Sequence, residues 1–226
     1  MYFMTAVDNL KRLRNEIPEH VKIVAISKTH TEQEILEVYN AGLRCFGENR
    51  AQELINKQPL LPNDMEWHFV GHLQTNKVKY IAPYISVIQS IDSLRLLNEV
   101  NKQAQKHNRV IDCLLQFFIA REETKYGLDL QEAHVLLNSD AYKSMKNIKI
   151  RGVMGMATYT DNTDRVRNEF KELKQIFDSL KNDFFSHNAD FSEISMGMSG
   201  DYKIAIEEGS TIVRIGTAIF GERNGR

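Results

Sequence analysis

Eight apolar stretches alternate along the chain with segments of helical periodicity, and this alternation limits the possible folds more than any other feature. Strands that alternate with helices form parallel sheets, because each helix returns the chain to the start of the next strand. Eight such units in 226 residues fit a single (β/α)8 TIM barrel, which needs at least about 200 residues. A doubly wound open sheet is the competing architecture, and periodicity alone does not separate the two. The predicted strands are 21–27, 43–47, 67–71, 87–90, 111–119, 148–156, 191–195 and 211–215.

Composition and charge limit the kinds of partner that the chain can attract. The formal net charge is −1 and the isoelectric point is about 6.7, so no basic excess favours nucleic acid or an anionic membrane. The two cysteines, Cys45 and Cys113, suit reduced thiols in a cytoplasmic protein. The first residues lack the features of a signal peptide, and no apolar run reaches the roughly 20 residues of a membrane span. We therefore expect one soluble, cytoplasmic domain over residues 1–226.

Lys28 directly follows the first predicted strand, which is an unusual place for a lysine. Thr31 and Glu34 have the spacing of a capping box, so a helix is predicted to begin just after it. A lysine at the end of a buried strand must be paired, reach water or lose its proton, since an unpaired buried charge is costly. A neutral amine at the mouth of a barrel is what Schiff-base chemistry with an aldehyde needs. Pairing with a carboxylate or extension into solvent is the plainer interpretation.

Two loops rich in small residues follow the seventh and eighth predicted strands. Ser199 and Gly200 lie in the first loop, and Gly216 and Thr217 lie in the second. Glycines let the backbone approach a ligand closely, and free N–H groups at the start of a helix attract anions. In a TIM barrel these two loops often bind phosphate. Each loop alone is typical of ordinary helix capping, but together, with Lys28 opposite, they favour a phosphorylated ligand that carries an aldehyde.

Arg214 lies on the last predicted strand, on the same face as Gly216. It points into the end of the barrel if Gly216 does, and it needs a partner because it stays charged. The nitrogen of a pyridine ring is one possible partner, and a carboxylate elsewhere in the barrel is the other. A pyridine nitrogen that faces arginine stays unprotonated, so the ring is then a poor electron sink for carbanion chemistry.

Five ordered motifs cover most of the chain and resemble those of a known family. They are Ser27-Lys28-Thr29, Gly47-Glu48-Asn49 with Gln52-Glu53, Trp67–Gly71 with Leu73-Gln74 and Asn76-Lys77, Ser195–Ser199, and Val213–Thr217. Between about residues 20 and 222 the sequence resembles the YggS/PROSC family of pyridoxal 5′-phosphate (PLP) homeostasis proteins. The resemblance implies a fold-type III barrel like that of alanine racemases, but without their second domain.

The resemblance also implies a role for six residues. Lys28 would hold PLP as an internal aldimine, and Arg214 would face the pyridine nitrogen. Phosphate-binding and lining roles would fall to Ser199, Gly216, Thr217 and Asn49. We expect neither catalytic residues nor a metal. His68 and His72 are four apart but lie on a strand and its loop, which does not suit a metal pair.

The implied function is non-catalytic PLP binding for intracellular PLP homeostasis and cofactor delivery. The expected partners are PLP and PLP-dependent apo-enzymes that receive it, and the expected oligomeric state is a monomer. The first alternative is a PLP-dependent amino-acid racemase or decarboxylase. Racemisation needs an acid–base group on each face of the substrate, and the sequence shows no second domain to supply the opposite group. The second alternative is a barrel for another phosphate ligand, with Lys28 as an ion-pair partner.

Three residues in or after the fifth predicted strand bear on cofactor release and on substrate binding. Lys125 follows this strand and is expected to be a solvated loop charge. A minority hypothesis makes it a second amine that accepts PLP during release. Phe118 and Ala120 replace polar residues that are usual in the family, which argues against a polar substrate-binding role for this strand.

Overall fold

The chain forms a closed barrel of eight parallel strands. The computed structural model describes residues 4–120 and 126–222. The strands are β1 (Lys22–Ile26), β2 (Cys45–Glu48), β3 (Glu66–Phe69), β4 (Val87–Ile91), β5 (Ile111–Phe117), β6 (Ile148–Gly155), β7 (Glu193–Ser195) and β8 (Ile212–Ile215). Neighbours in the barrel follow chain order, and β8 closes it by pairing with β1. The predicted TIM barrel is therefore confirmed and the open sheet is excluded. Each strand overlaps a predicted one, with ends that differ by at most two residues.

Helices surround the barrel and connect the strands. They are α1 (Ala6–Glu16), α2 (Glu32–Asn40), α3 (Ala51–Lys57), α4 (Val78–Ile81), α5 (Leu94–Lys106), α6 (Leu130–Asn138), α7 (Asp140–Lys143), α8 (Thr163–Phe184), α9 (Tyr202–Glu207) and α10 (Thr217–Phe220), with 3-10 turns at Gln58–Leu60 and Thr75–Lys77. The predicted capping box of Thr31 and Glu34 is present at the start of α2. Within the two described ranges, no helix combines the length and the apolar character needed to cross a membrane.

Apolar side chains pack in two separate layers. A large cluster fills the space between the strands and the helices, and it includes Phe46, Ile88, Leu97 and Phe170. A small cluster lies inside the barrel and consists of Val24, Ile26, Val70, Leu114, Met154 and Ile212. Because side chains alternate along a strand, residues two positions from these also point inward. The interior therefore includes polar side chains as well.

Four buried polar side chains form a hydrogen-bonded line inside the barrel. Arg214 Nη1 donates to Ser195 Oγ at 2.7 Å, and Ser195 Oγ donates to Gln89 Oε1 at 2.6 Å. The amide nitrogen of Gln89 lies 2.8 Å from Nδ1 of His68. We call Arg214, Ser195, Gln89 and His68 the polar line. It runs from Arg214 on β8 across the barrel interior to His68 on β3.

Candidate functional site

A cavity of about 380 Å³ opens at the carboxyl ends of β1, β6, β7 and β8. This volume lies within the range of about 300–1,000 Å³ that is typical of small-molecule sites. Five of the six residues that the sequence assigned to cofactor binding line it: Lys28, Ser199, Arg214, Gly216 and Thr217. They meet because the carboxyl ends of parallel strands in a barrel share one face. Lys125, predicted to be a solvated loop charge and, in the minority hypothesis, a second amine, lies outside the described residues.

Asn49, the sixth residue, is not among the residues that line this cavity. This residue directly follows β2, and its side-chain Oδ1 is buried without a hydrogen-bond partner among the described residues. The loop after β3 presses against it, because a Cβ on Gly71 would lie 2.1 Å from the Asn49 carbonyl oxygen. Only glycine fits that contact. The cofactor role of Asn49 stays a prediction.

Charged side chains of α3 hold the backbone on both sides of Lys28. Lys57 Nζ donates to the carbonyl oxygen of Ser27 at 2.8 Å. The amide of Thr29 donates to Glu53 Oε2 at 2.9 Å, and Thr29 has a φ of 67°, which is the left-handed region. A threonine rarely adopts this conformation, so neighbouring contacts must impose it. The side chains of α3 therefore fix the backbone that carries half-buried Lys28.

The same ammonium group belongs to a buried ion pair. Lys57 Nζ lies 2.8 Å from Glu48 Oε1, which also accepts a hydrogen bond from Ser27 Oγ at 2.8 Å. Glu48 has no solvent exposure, and Lys57 is less than a tenth exposed. Burial raises the pKa of Glu48, while Lys57 and Ser27 oppose the rise. Glu48 lies in the Gly47-Glu48-Asn49 motif, in which no role was expected for its side chain. The spacing of Glu53 and Lys57, four apart on α3, is the signal that could have pointed to this network.

The loop after β7 depends on a glycine with a positive φ. Gly197 has a φ of +94°, and a Cβ there would lie 2.6 Å from the Cβ of Ala205 on α9. Glycine therefore lets the loop lie flat on α9 at the edge of the cavity. Ser199 Oγ accepts a hydrogen bond at 3.1 Å from the amide of Ala218, in the first turn of α10. This bond joins the two small-residue loops that the sequence predicted to bind phosphate.

Asp201 lies on the cavity and was missed by the sequence analysis. Its Oδ1 accepts a hydrogen bond from the amide of Met198 at 2.5 Å. Burial raises the pKa of Asp201, while the Met198 amide and the charge of Arg214 act against the rise. The carboxyl group thus shapes the loop that carries Ser199.

Arg214 forms the inner wall of the cavity and is only 4% exposed. Nη2 donates to the carbonyl oxygen of Gly155 at 2.9 Å, and Nη1 donates to Ser195. Both partners are neutral oxygens, so neither is the carboxylate considered above. Burial lowers the pKa of Arg214 to about 10, and the charge of Asp201 opposes that shift. The guanidinium therefore stays charged at neutral pH.

One family model and several curated relatives match most of the chain. The model described as alanine racemase, N-terminal domain, matches residues 5–224. The pyridoxal phosphate homeostasis protein of Aquifex aeolicus is 42% identical over 89% of this chain and 87% of its own length. The protein of the same name from Schizosaccharomyces pombe is 35% identical, over 90% of this chain and 85% of its own.

Two solved structures are similar to this chain, one in sequence and fold and the other in fold alone. PipY of Synechococcus elongatus PCC7942, solved with PLP bound, is 32% identical and superimposes with a TM-score of 0.86 over 96% of this chain and all of its own. An alanine racemase from Clostridium difficile has a TM-score of 0.74 at 13% identity, which shows likeness of fold alone. This chain covers 98% of its own length but 56% of that enzyme. From the family match and from relatives aligned over most of its length, the chain belongs to the pyridoxal phosphate homeostasis protein family.

Proposed function

We propose that the protein binds pyridoxal 5′-phosphate reversibly through Lys28 and carries it for delivery to other proteins, without catalysing a reaction of its own. The observation that carries this proposal is that one cavity brings together Lys28, Arg214 and the two small-residue loops. The neutral amine of Lys28 adds to the aldehyde carbon, a C=N bond forms and one water molecule leaves. Hydrolysis reverses the step and releases the ligand unchanged.

The residues present fit each part of PLP. The phosphate suits the loops that the Ser199 hydroxyl and the Ala218 amide join, because hydroxyl groups and helix-start amides bind anions. The ring nitrogen suits Arg214, which donates hydrogen bonds and is charged at neutral pH. PLP with an unprotonated ring nitrogen is a poor electron sink. That property favours carrying the cofactor over carbanion chemistry.

Titration of the purified protein with PLP tests the binding. We expect one PLP per chain by equilibrium dialysis, with a visible absorption band of the C=N bond that Lys28→Ala lacks. The exposed Lys79 lies outside the cavity, so Lys79→Ala is the matched control and should bind as the unchanged protein does. Equal binding by Lys28→Ala, with the same band, would overturn the proposal.

Incubation of the loaded protein with amino acids tests the absence of catalysis. We expect no accumulation of D-alanine from L-alanine and no release of carbon dioxide from amino acids. In a second reaction, a PLP-requiring apo-enzyme mixed with the loaded protein should regain activity. Racemisation or decarboxylation at ordinary enzyme rates, lost in Lys28→Ala, would replace the carrier with an enzyme of the same fold.

A further inference from the structure

A cluster of metal-ligating side chains lies at the amino end of the barrel, away from the PLP cavity. Cys45 and Glu66 begin β2 and β3 and are paired in register, and His68 follows two positions along β3. Cys45 Sγ, a carboxylate oxygen of Glu66 and a ring nitrogen of His68 lie within 4.8 Å of one another. We propose that these three side chains bind a divalent transition-metal ion, with Zn²⁺ the best match to the ligand set.

His68 has a buried ring nitrogen without a hydrogen-bond partner among the described residues. The side chain has no solvent exposure. Its Nδ1 is engaged by Gln89, whereas Nε2 has no hydrogen-bond partner among the described residues. Such an unpaired buried group is costly. Complete burial without a charged partner favours the neutral ring, which is the form that binds metals. Histidines that bind metals commonly donate their other ring N–H to an acceptor. The amide nitrogen of Gln89 faces Nδ1 in the free protein, so metal binding requires this amide to turn its oxygen towards Nδ1, with the ring proton on Nδ1 and the Nε2 lone pair on the ion.

Cys45 is a protonated thiol in the absence of an ion. Its Sγ donates to Glu66 Oε2 at 3.1 Å, and burial together with Glu66 raises the pKa of Cys45 to about 12. A bound Zn²⁺ replaces the thiol proton, which leaves to water, and a Zn–S bond forms. The thiolate and the Glu66 carboxylate then balance the two charges of the ion. Lys22 and Glu193, whose charges both act on Cys45, are opposite in sign and lie 3.9 Å apart.

The geometry suits a tetrahedral ion with one open position. Ligand atoms that surround zinc at its usual bond lengths lie roughly 3.3–3.8 Å apart, so the cluster needs only a small contraction. Three protein ligands leave the fourth position to water. Glu66 is exposed and gives the ion a route from solvent. A thiolate and an imidazole favour zinc or cobalt over magnesium or calcium.

Titration of the chelator-treated, full-length protein with Zn²⁺ in cofactor-free buffer tests the site. We expect one ion per chain by dialysis and elemental analysis. With Co²⁺ as the probe, we expect a thiolate-to-metal charge-transfer band. Cys45→Ser should abolish this band, and Glu66→Gln, an exposed change, should weaken binding at least about 10-fold. Cys113→Ser is the matched control, because Cys113 is the other cysteine and lies outside the cluster.

Lys28→Ala separates this proposal from PLP binding and should bind zinc as the unchanged protein does. Loss of the metal in Lys28→Ala would place the ion at the cofactor cavity and overturn the proposal. Binding that is unchanged in both Cys45→Ser and Glu66→Gln would also overturn it, as would the absence of stoichiometric binding.

Discussion

Lys57 connects the buried interior to the backbone beside Lys28. Its ammonium contacts both Glu48 Oε1 and the carbonyl oxygen of Ser27. Removing one partner of a buried ion pair leaves the other charge without compensation, which costs about 3–5 kcal/mol. Lys57 is therefore expected to determine both the stability of the barrel and the position of the amine that binds the cofactor.

Lys57→Met should lower the free energy of unfolding by about 3–5 kcal/mol at neutral pH. Burial raises the pKa of Glu48 above its ordinary 4.5, and the loss of Lys57 removes two of the contributions that oppose the rise. The folded variant then keeps a proton that the unfolded chain has lost. Its stability must fall as the pH increases from about 4.5 to the raised pKa of the folded state. Denaturant unfolding over a pH series measures this loss.

The double variant Lys57→Met with Glu48→Gln is the control for this prediction. It leaves no buried charge, so it should be more stable than Lys57→Met and should lose the added pH dependence. A double variant that is no more stable than the single one would show that the ion pair is not the source of the effect.

Ser195 is the central member of the polar line and offers a second prediction. Ser195→Ala leaves Gln89 Oε1 and Arg214 Nη1 without their partner, so it should destabilise the protein by about 1–3 kcal/mol. Ser90 is an equally buried serine whose Oγ has no partner among the described residues. Ser90→Ala should therefore be close to neutral. Thermal unfolding of both variants tests this, and equal losses would contradict the role given to the polar line.

At the scale of elements, the loop between β7 and α9 determines the shape of the phosphate side of the cavity. Gly197→Ala combines a strained positive φ with a Cβ 2.6 Å from Ala205, and strained backbone costs about 1–3 kcal/mol. The loop should move away from α9, so PLP affinity should fall by about 10-fold or more. Gly209 has a similar φ of +95° but does not line the cavity. Gly209→Ala should therefore bind PLP normally, and an equal loss in the two variants would contradict this account.

The sequence pattern identified the strands and most of the helices, and it missed α7 and α10. Each strand is an apolar run between turn-forming residues, and the capping box of Thr31 and Glu34 correctly marked the start of α2. Helices α7 and α10 have only four residues each, about one turn, so they show no periodic pattern. The failure to predict α10 matters for the site. Thr217 begins this helix, and the amide of the following residue, Ala218, donates a hydrogen bond to Ser199.

At the scale of the whole molecule, the barrel made part of the site predictable. Lys28 and Arg214 could be placed on one cavity because β1 and β8 are parallel and their carboxyl ends meet. Contacts between side chains that are distant in the chain could not be foreseen. Ser195 and Gln89 are 106 residues apart, and Cys45 meets Glu66 only through the register of β2 and β3. Such pairs depend on strand register, which the sequence pattern does not determine.

Borohydride reduction of the PLP-loaded protein, followed by peptide mass mapping, tests the central claim most directly. Borohydride reduces a C=N bond to a stable C–N bond, so the ligand stays on the residue that held it. We predict one pyridoxyl group, on the peptide that contains Lys28, and none on that peptide in Lys28→Ala. A folded protein that carries no adduct in excess PLP, or carries it on another lysine, would contradict the account.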